Sequence, residues 1–223
     1  MKHHAHHRVA HMFLARLGAA VLPQIRTAPD RPAHLTQVLD TSWIEGASLP
    51  LADRKAPEQT VALIDGMDFH RETRQDRVSR AYRERPRTRV YESLDVRSPS
   101  WVSLVALDLA RLTRRRVICT AYESHAGDRN LGAHDDDWLG VAVQMRGAKS
   151  WLIWPGGGEP PKETVTRAGD VLVLPRCMKH EVSTPQRPGH STHLLFAITA
   201  EALPAAAADD RRGGGLRPAR QAP

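Results

Sequence analysis

The chain has 223 residues, a formal net charge of +7 and a pI near 10.0, with 41% hydrophobic and 26% charged residues. That length supports one sizeable domain with its own core, and the composition is that of a globular protein rather than a fibrous or low-complexity one. No apolar run approaches the roughly eighteen residues a membrane helix needs, so a cytoplasmic protein without a membrane partner is expected.

Residues 1–11 carry His3, His4, His6, His7 and His11. Such a tract binds metal adventitiously and is expected to be a disordered start outside the active site. A single domain is expected over 12–203, helical or mixed over 12–116, with its barrel strands at 117–199. Apolar spacing predicts a helix over Met12–Leu22, and Arg16 interrupts what would otherwise resemble a signal-peptide core. Thr60–His70 reads as a strand ending in an Asp-Gly turn, residues 71–88 as a charged exposed stretch, and Thr88–Leu94 as another strand. The clearest helix starts at Ser98, an N-cap candidate followed by Pro99, with Trp101, Leu104, Val105, Leu109 and Leu112 at helical spacing. Arg111, Arg114, Arg115 and Arg116 fall at its C-terminal end, where cations complement the helix dipole. That accounts for the basic cluster without a polyanion, and nucleic acid is not expected as a direct ligand.

From Val117 onward the pattern is β. Short strands are predicted over 117–122, 138–145, 149–154, 163–167, 171–174, 180–184 and 193–198. They are separated by turn signals at 146–148, 155–158, 168–170 and 187–189. The expected class is mainly β with N-terminal helices, a sandwich or barrel, of which the cupin jelly roll (double-stranded β-helix) is one form. Residues 204–223 read as a disordered tail. Cys119 and Cys177 are expected to be reduced core residues.

His134 and Asp136 form a His-x-Asp pair in Gly-Ala-His-Asp-Asp-Asp-Trp, and His180 follows an apolar strand and a proline stop. On an extended strand, His134 and Asp136 would share a face and Asp135 and Asp137 would point away. Two imidazoles and one carboxylate on one side of a metal leave other positions open, which suits non-haem Fe(II). Lys149 starts the strand Lys-Ser-Trp-Leu-Ile-Trp. An exposed turn lysine is its ordinary role, whereas an inward lysine would need an anion such as a dicarboxylate. Tyr122 and Ser191 read as a core aromatic and a turn residue, and His193 as a packed strand residue; Trp138, Trp151 and Trp154 read as apolar packing, with lining of a substrate mouth as the alternative.

Over residues 88–199 the chain resembles the JmjC-type cupins of the ribosomal oxygenase kind. The resemblance rests on Thr120-Ala121-Tyr122-Glu123-Ser124, then Gly132-Ala133-His134-Asp135-Asp136 and Gln144-Met145-Arg146-Gly147-Ala148-Lys149-Ser150-Trp151. Gly169-Asp170-Val171-Leu172-Val173-Leu174-Pro175, His180 and Ser191-Thr192-His193-Leu194 complete it. It implies that His134, Asp136 and His180 hold Fe(II). It implies that Lys149 holds the far carboxylate of 2-oxoglutarate as co-substrate, with Tyr122, Ser191 and Thr120 beside it. The chain departs from the family at Thr120, where Asn is frequent, and at Cys177, where a small residue is usual. The implied activity is hydroxylation of an unactivated C–H by O₂, with release of succinate and CO₂. The substrate would be a protein side chain, ribosomal or otherwise, or a peptide or small molecule. The alternatives are a metal-dependent cupin enzyme that does not use 2-oxoglutarate and a non-catalytic metal-binding cupin.

Overall fold

A computed structural model describes residues 2–40, 49, 51, 61–97, 100–156 and 158–203. The helix predicted over Met12–Leu22 is longer: α1 spans Lys2–Thr27 and carries Pro23 inside it. The histidine tract expected to be disordered therefore belongs to a helix from residue 2. Ala10, Phe13, Leu17 and Val21 form its buried stripe, at the three- and four-residue spacing of one helical face.

The short strand β1 (Ala33–Leu35) follows. The strand predicted over 60–70 is a hairpin instead, β2 (Val61–Asp65) and β3 (Asp68–Glu72), because Gly66 adopts φ +60° and turns the chain after Asp65. The charged stretch that follows includes an unforeseen helix, α2 (Gln75–Glu84), which buries Val78 alone. β4 (Arg89–Tyr91) is shorter than expected and gives way to the single turn α3 (Leu94–Arg97).

Helix α4 (Trp101–Thr113) is capped by Ser100 rather than Ser98, which lies outside the described residues. The Ser100 side chain accepts from the Ser103 backbone N–H, and the Ser103 side chain returns the bond. Arg114 ends the helix in a left-handed conformation, and Arg115 and Arg116 already belong to the next strand rather than to the helix.

That strand, β5 (Arg115–His125), is followed by β6 (Leu139–Ile153), β7 (Lys162–Arg167), β8 (Val171–Leu174), β9 (His180–Ser183) and β10 (His190–Ala202). The main sheet runs β1-β8-β6-β10-β5-β4-β2-β3 with antiparallel pairing. The two strands predicted at 138–145 and 149–154 are one long strand. The first half of β6 pairs with β8 and β10, and its second half crosses to a second sheet with β7 and β9. A shared strand of this kind folds one sheet over the other, which is the double-stranded β-helix expected for a cupin.

Strand alternation then sorts the residues. Val117, Cys119 and Ala121 of β5 and Leu194, Phe196 and Ile198 of β10 face outward into a core shared with α1 and α4. Phe13 packs there on Trp101 and Phe196, with ring centroids 5.0 Å and 6.3 Å away. The intervening residues, Ile118, Thr120, Tyr122, His193, Leu195 and Ala197, face the space between the sheets. The outer layer thus holds the barrel wall rigid, and the inner layer is left for a site. Cys119 is a core thiol as expected, but Cys177 is exposed on a turn, at φ +56°.

Candidate metal centre and its cavity

A cavity of about 390 Å³ opens between the sheets. Its lining is mostly apolar, including Ile64, Leu131, Trp151, Val182 and Leu195, and its polar groups are concentrated at two levels. His134, Asp136 and His180 lie at one level, and Lys149 at the other.

His134 and His180 are held by backbone pairing rather than by a strand under both His134 and Asp136. The His134 N–H donates to the His180 carbonyl at 2.9 Å, and the His180 N–H returns a bond to the His134 carbonyl at 2.8 Å. Asp136 lies in the following loop, where its carbonyl accepts from the Cys177 N–H at 2.7 Å. The expectation of a strand through Asp135 and Asp137 fails for this reason. Asp135 lines the cavity instead of pointing away from it.

The three side chains nevertheless converge, with one donor atom from each lying within 4.8 Å of the others. Each imidazole is oriented in the same way. His134 Nδ1 lies 2.9 Å from the Gly132 carbonyl and His180 Nδ1 lies 2.9 Å from the Met178 carbonyl, so each Nδ1 carries the proton. Each Nε2 is left as a free lone pair, the arrangement that orients histidine ligands. Burial pushes the His180 pKa down and the Asp136 carboxyl up, the His180 and His134 charges opposing the latter. Two imidazole nitrogens and one carboxylate form the donor set of a facial triad, and this chemistry fits Fe(II).

Lys149 is inward and 1% exposed, not an exposed turn lysine. Its Nζ donates to Ser124 Oγ at 3.0 Å and to Thr184 Oγ1 at 3.3 Å, and these hydroxyls bond each other at 2.6 Å. No carboxylate contacts the ammonium among the described residues. Burial pulls its pKa down to about 8, with Asp128 opposing. A buried cation held by two hydroxyls in the wall of a cavity is poised for an external anion.

Sequence reasoning missed Ser124 and Thr184. Ser124 ends the Thr120-Ala121-Tyr122-Glu123-Ser124 segment, and Thr184 stands four residues after His180. Both were legible as hydroxyls but not as partners of Lys149.

Tyr122 and Thr120 line the cavity. The Tyr122 ring stacks on His193 at 4.9 Å with an interplanar angle of 4°. Burial and the nearby Asp136 charge push the Tyr122 phenol up. Ser191 stands apart from the cavity lining. Its hydroxyl accepts from Gln144 Nε2 at 2.9 Å, while Thr166 links Gln144 to the Trp151 indole and the Lys149 carbonyl. Ser191 thereby supports the wall behind Lys149.

His193, read from the sequence as packing, lines the cavity with its Nδ1 lacking a partner among the described residues. Burial and Lys149 push its pKa well down, which keeps it neutral. Trp138 and Trp151 line the cavity, whereas Trp154 packs under the Lys179 ammonium at 5.0 Å. At the cavity rim, Arg71 and Glu92 form a two-pronged ion pair at 3.0 Å and 2.8 Å.

No protein-family model matches the chain. Among curated proteins, it is 29% identical over 91 residues to ribosomal oxygenase 2 of Bos taurus, covering 34% of this chain and 20% of that protein. It is 27% identical over 125 residues to the bifunctional lysine-specific demethylase and histidyl-hydroxylase NO66 of Drosophila simulans, covering 40% and 14%. The matched region is thus a fifth or less of these relatives' length.

Among solved structures, YcfD, a ribosomal oxygenase from Escherichia coli, in complex with cobalt and 2-oxoglutarate superposes with a TM-score of 0.57 at 12% identity, covering 84% of this chain and 52% of that one. A 2OG-Fe(II) oxygenase family oxidoreductase from Burkholderia pseudomallei gives 0.51 at 18% identity, covering 81% and 89%. The chain therefore shares its fold with these oxygenases, and in sequence it resembles the JmjC-type ribosomal oxygenases. No helix among the described residues is long and apolar enough to cross a membrane.

Proposed function

We propose that the protein is an Fe(II)- and 2-oxoglutarate-dependent oxygenase that hydroxylates a C–H of a protein side chain. The observation that carries this reading is Lys149. A buried ammonium whose hydrogen-bond partners among the described residues are hydroxyls shares one cavity with a two-histidine, one-carboxylate triad. A bare metal-binding cupin has no use for that cation, and a cupin enzyme without a dicarboxylate leaves it uncompensated.

In this reading His134, Asp136 and His180 hold Fe(II). Lys149, Ser124 and Thr184 receive the far carboxylate of the co-substrate. When bound, the iron and 2-oxoglutarate supply the oxidation: O₂, 2-oxoglutarate and R–H give R–OH, succinate and CO₂. The chain's own contribution is positional. The backbone carbonyls of Gly132 and Met178 fix both imidazoles, Tyr122 and His193 form one flat wall, and the apolar lining keeps water from the reacting atoms. No acid–base pair is required of the protein.

A protein side chain as substrate is supported by the names of the relatives, which are ribosomal oxygenases and a histidyl-hydroxylase. A ribosomal protein is the partner class that follows. The test is anaerobic addition of 2-oxoglutarate to the Fe(II)-loaded chain. A weak visible charge-transfer band should appear, and air should then convert 2-oxoglutarate to succinate. Intact iron binding with no band overturns the reading.

A further inference from the structure

Helix α1 starts well before its apolar stripe does. Ala10 and Phe13 dock the helix on the outer side of the barrel, and its N-terminal extension reaches Lys2. This part of the helix carries His7 and His11, four residues apart and both exposed. Neither makes a hydrogen bond or ion pair with another described residue.

Residues four apart share a helical face, with Cβ atoms about 5–6 Å from each other. Two imidazoles at that separation can close on one ion, and the same i, i+4 histidine spacing on a helix holds zinc in metalloproteases.

We propose that His7 and His11 form a second metal site, separate from the triad. It would take a divalent ion of the late first row, Ni²⁺, Cu²⁺ or Zn²⁺, which imidazole favours. The two sites lie on opposite sides of the main sheet. α1 packs with α4 on its outer face, and the triad faces the space between the sheets. An ion bridging His7 and His11 also ties two successive helical turns together. This part of the helix has no acidic residue in its first turn to offset the dipole.

The test uses the full chain carrying Asp136→Ala, which disables the triad, dialysed to equilibrium against Ni²⁺. That chain should retain bound Ni²⁺. Adding His7→Gln and His11→Gln should release it. Adding instead His70→Gln and His190→Gln, two exposed histidines elsewhere, should leave it bound. Ni²⁺ should slow backbone hydrogen exchange at residues 2–11 in the first and third proteins and not in the second. For the case in which Asp136→Ala does not fold, the same substitutions are made with the triad intact. His7→Gln with His11→Gln should then remove one class of Ni²⁺ site from the wild-type chain and His70→Gln with His190→Gln none. No Ni²⁺ uptake outside the triad, or equal loss from the two double variants, overturns the proposal.

Discussion

His134 and His180, forty-six residues apart in the chain, exchange both backbone hydrogen bonds and bring their rings to a centroid distance of 4.3 Å. The pairing is a property of the backbone, so it survives loss of either ring. His180→Ala and His134→Ala should therefore separate metal affinity from folding. Fe(II) or Co(II) affinity should fall by more than the roughly 10–100-fold typical of losing a supporting group. The thermal midpoint should move only by about 2–4 °C for each kcal/mol of lost packing. Metal titration with parallel melting curves checks this, and undiminished affinity in both variants would remove the triad as the metal centre.

Lys149 gives a pH signature with a definite sign. Its pKa in the folded chain is about 8, against an ordinary value of 10.5. Between these values the unfolded chain binds a proton that the folded chain does not, so stability should rise as pH rises from about 8 to 10.5. The full effect is on the order of 3 kcal/mol at about 1.4 kcal/mol per unit. Lys149→Met should flatten this rise in urea unfolding. It should also weaken 2-oxoglutarate binding by about 10–100-fold, the worth of a charge-assisted hydrogen bond. Retention of co-substrate affinity in Lys149→Met would separate the lysine from the carboxylate.

The sequence exposed the parts of this site that depend on residue type and local spacing, and concealed those that depend on register. His134, Asp136 and His180 were legible because two histidines and a carboxylate at that spacing have few ordinary uses, whereas Lys149 reads by itself as an exposed turn lysine and enters the site only through the family resemblance. Ser124 and Thr184 were not, because serine and threonine have many, and Ser124 meets Lys149 across twenty-five residues of chain. Arg146-Gly147-Ala148 reads as a turn between two strands, yet β6 continues through it. A glycine with positive φ serves a tight turn and a strand bend equally well. Ser98 reads as the helix cap because Pro99 follows it, but the reciprocal bond with Ser103 makes Ser100 the cap. The histidine tract looked disordered by composition, and the anchoring of Ala10 and Phe13 draws it into α1.

Asp170 was legible only as half of a Gly-Asp turn signal. It is 5% exposed and accepts from the Gln37 N–H at 2.9 Å, from the Arg167 N–H at 2.9 Å and from His34 Nε2 at 3.0 Å. It thus pins β1 and the segment after it onto the turn before β8. Asp170→Ala strands two backbone donors and should cost about 2–4 kcal/mol, more than the cost of one ordinary hydrogen bond. His34→Ala, at a more exposed position with one bond, should cost about 1 kcal/mol or less. Chemical denaturation of both variants and the double variant checks the coupling. Full additivity would mean that the His34 contact contributes nothing.

Gly147 is the position where β6 crosses from one sheet to the other. Its φ is +66°, and a Cβ added there would fall on the His190 carbonyl oxygen. That carbonyl belongs to neighbouring backbone and cannot swing aside as a side chain would. Gly66, at φ +60° with open space around it, provides the comparison. Gly66→Ala should cost about 1–2 kcal/mol, the left-handed conformation alone. Gly147→Ala adds a backbone collision and should cost about 2–4 kcal/mol. The displacement has a direction that matters for the site. Gly147 pairs with Ser191 on β10 and lies two residues before Lys149, so relief of the clash must move the wall that supports the ammonium. Gly147→Ala should therefore weaken 2-oxoglutarate binding while Gly66→Ala leaves it unchanged. Urea unfolding and co-substrate titration of the two variants side by side would show this, and equal stability losses would mean that the sheet crossing tolerates a side chain at Gly147.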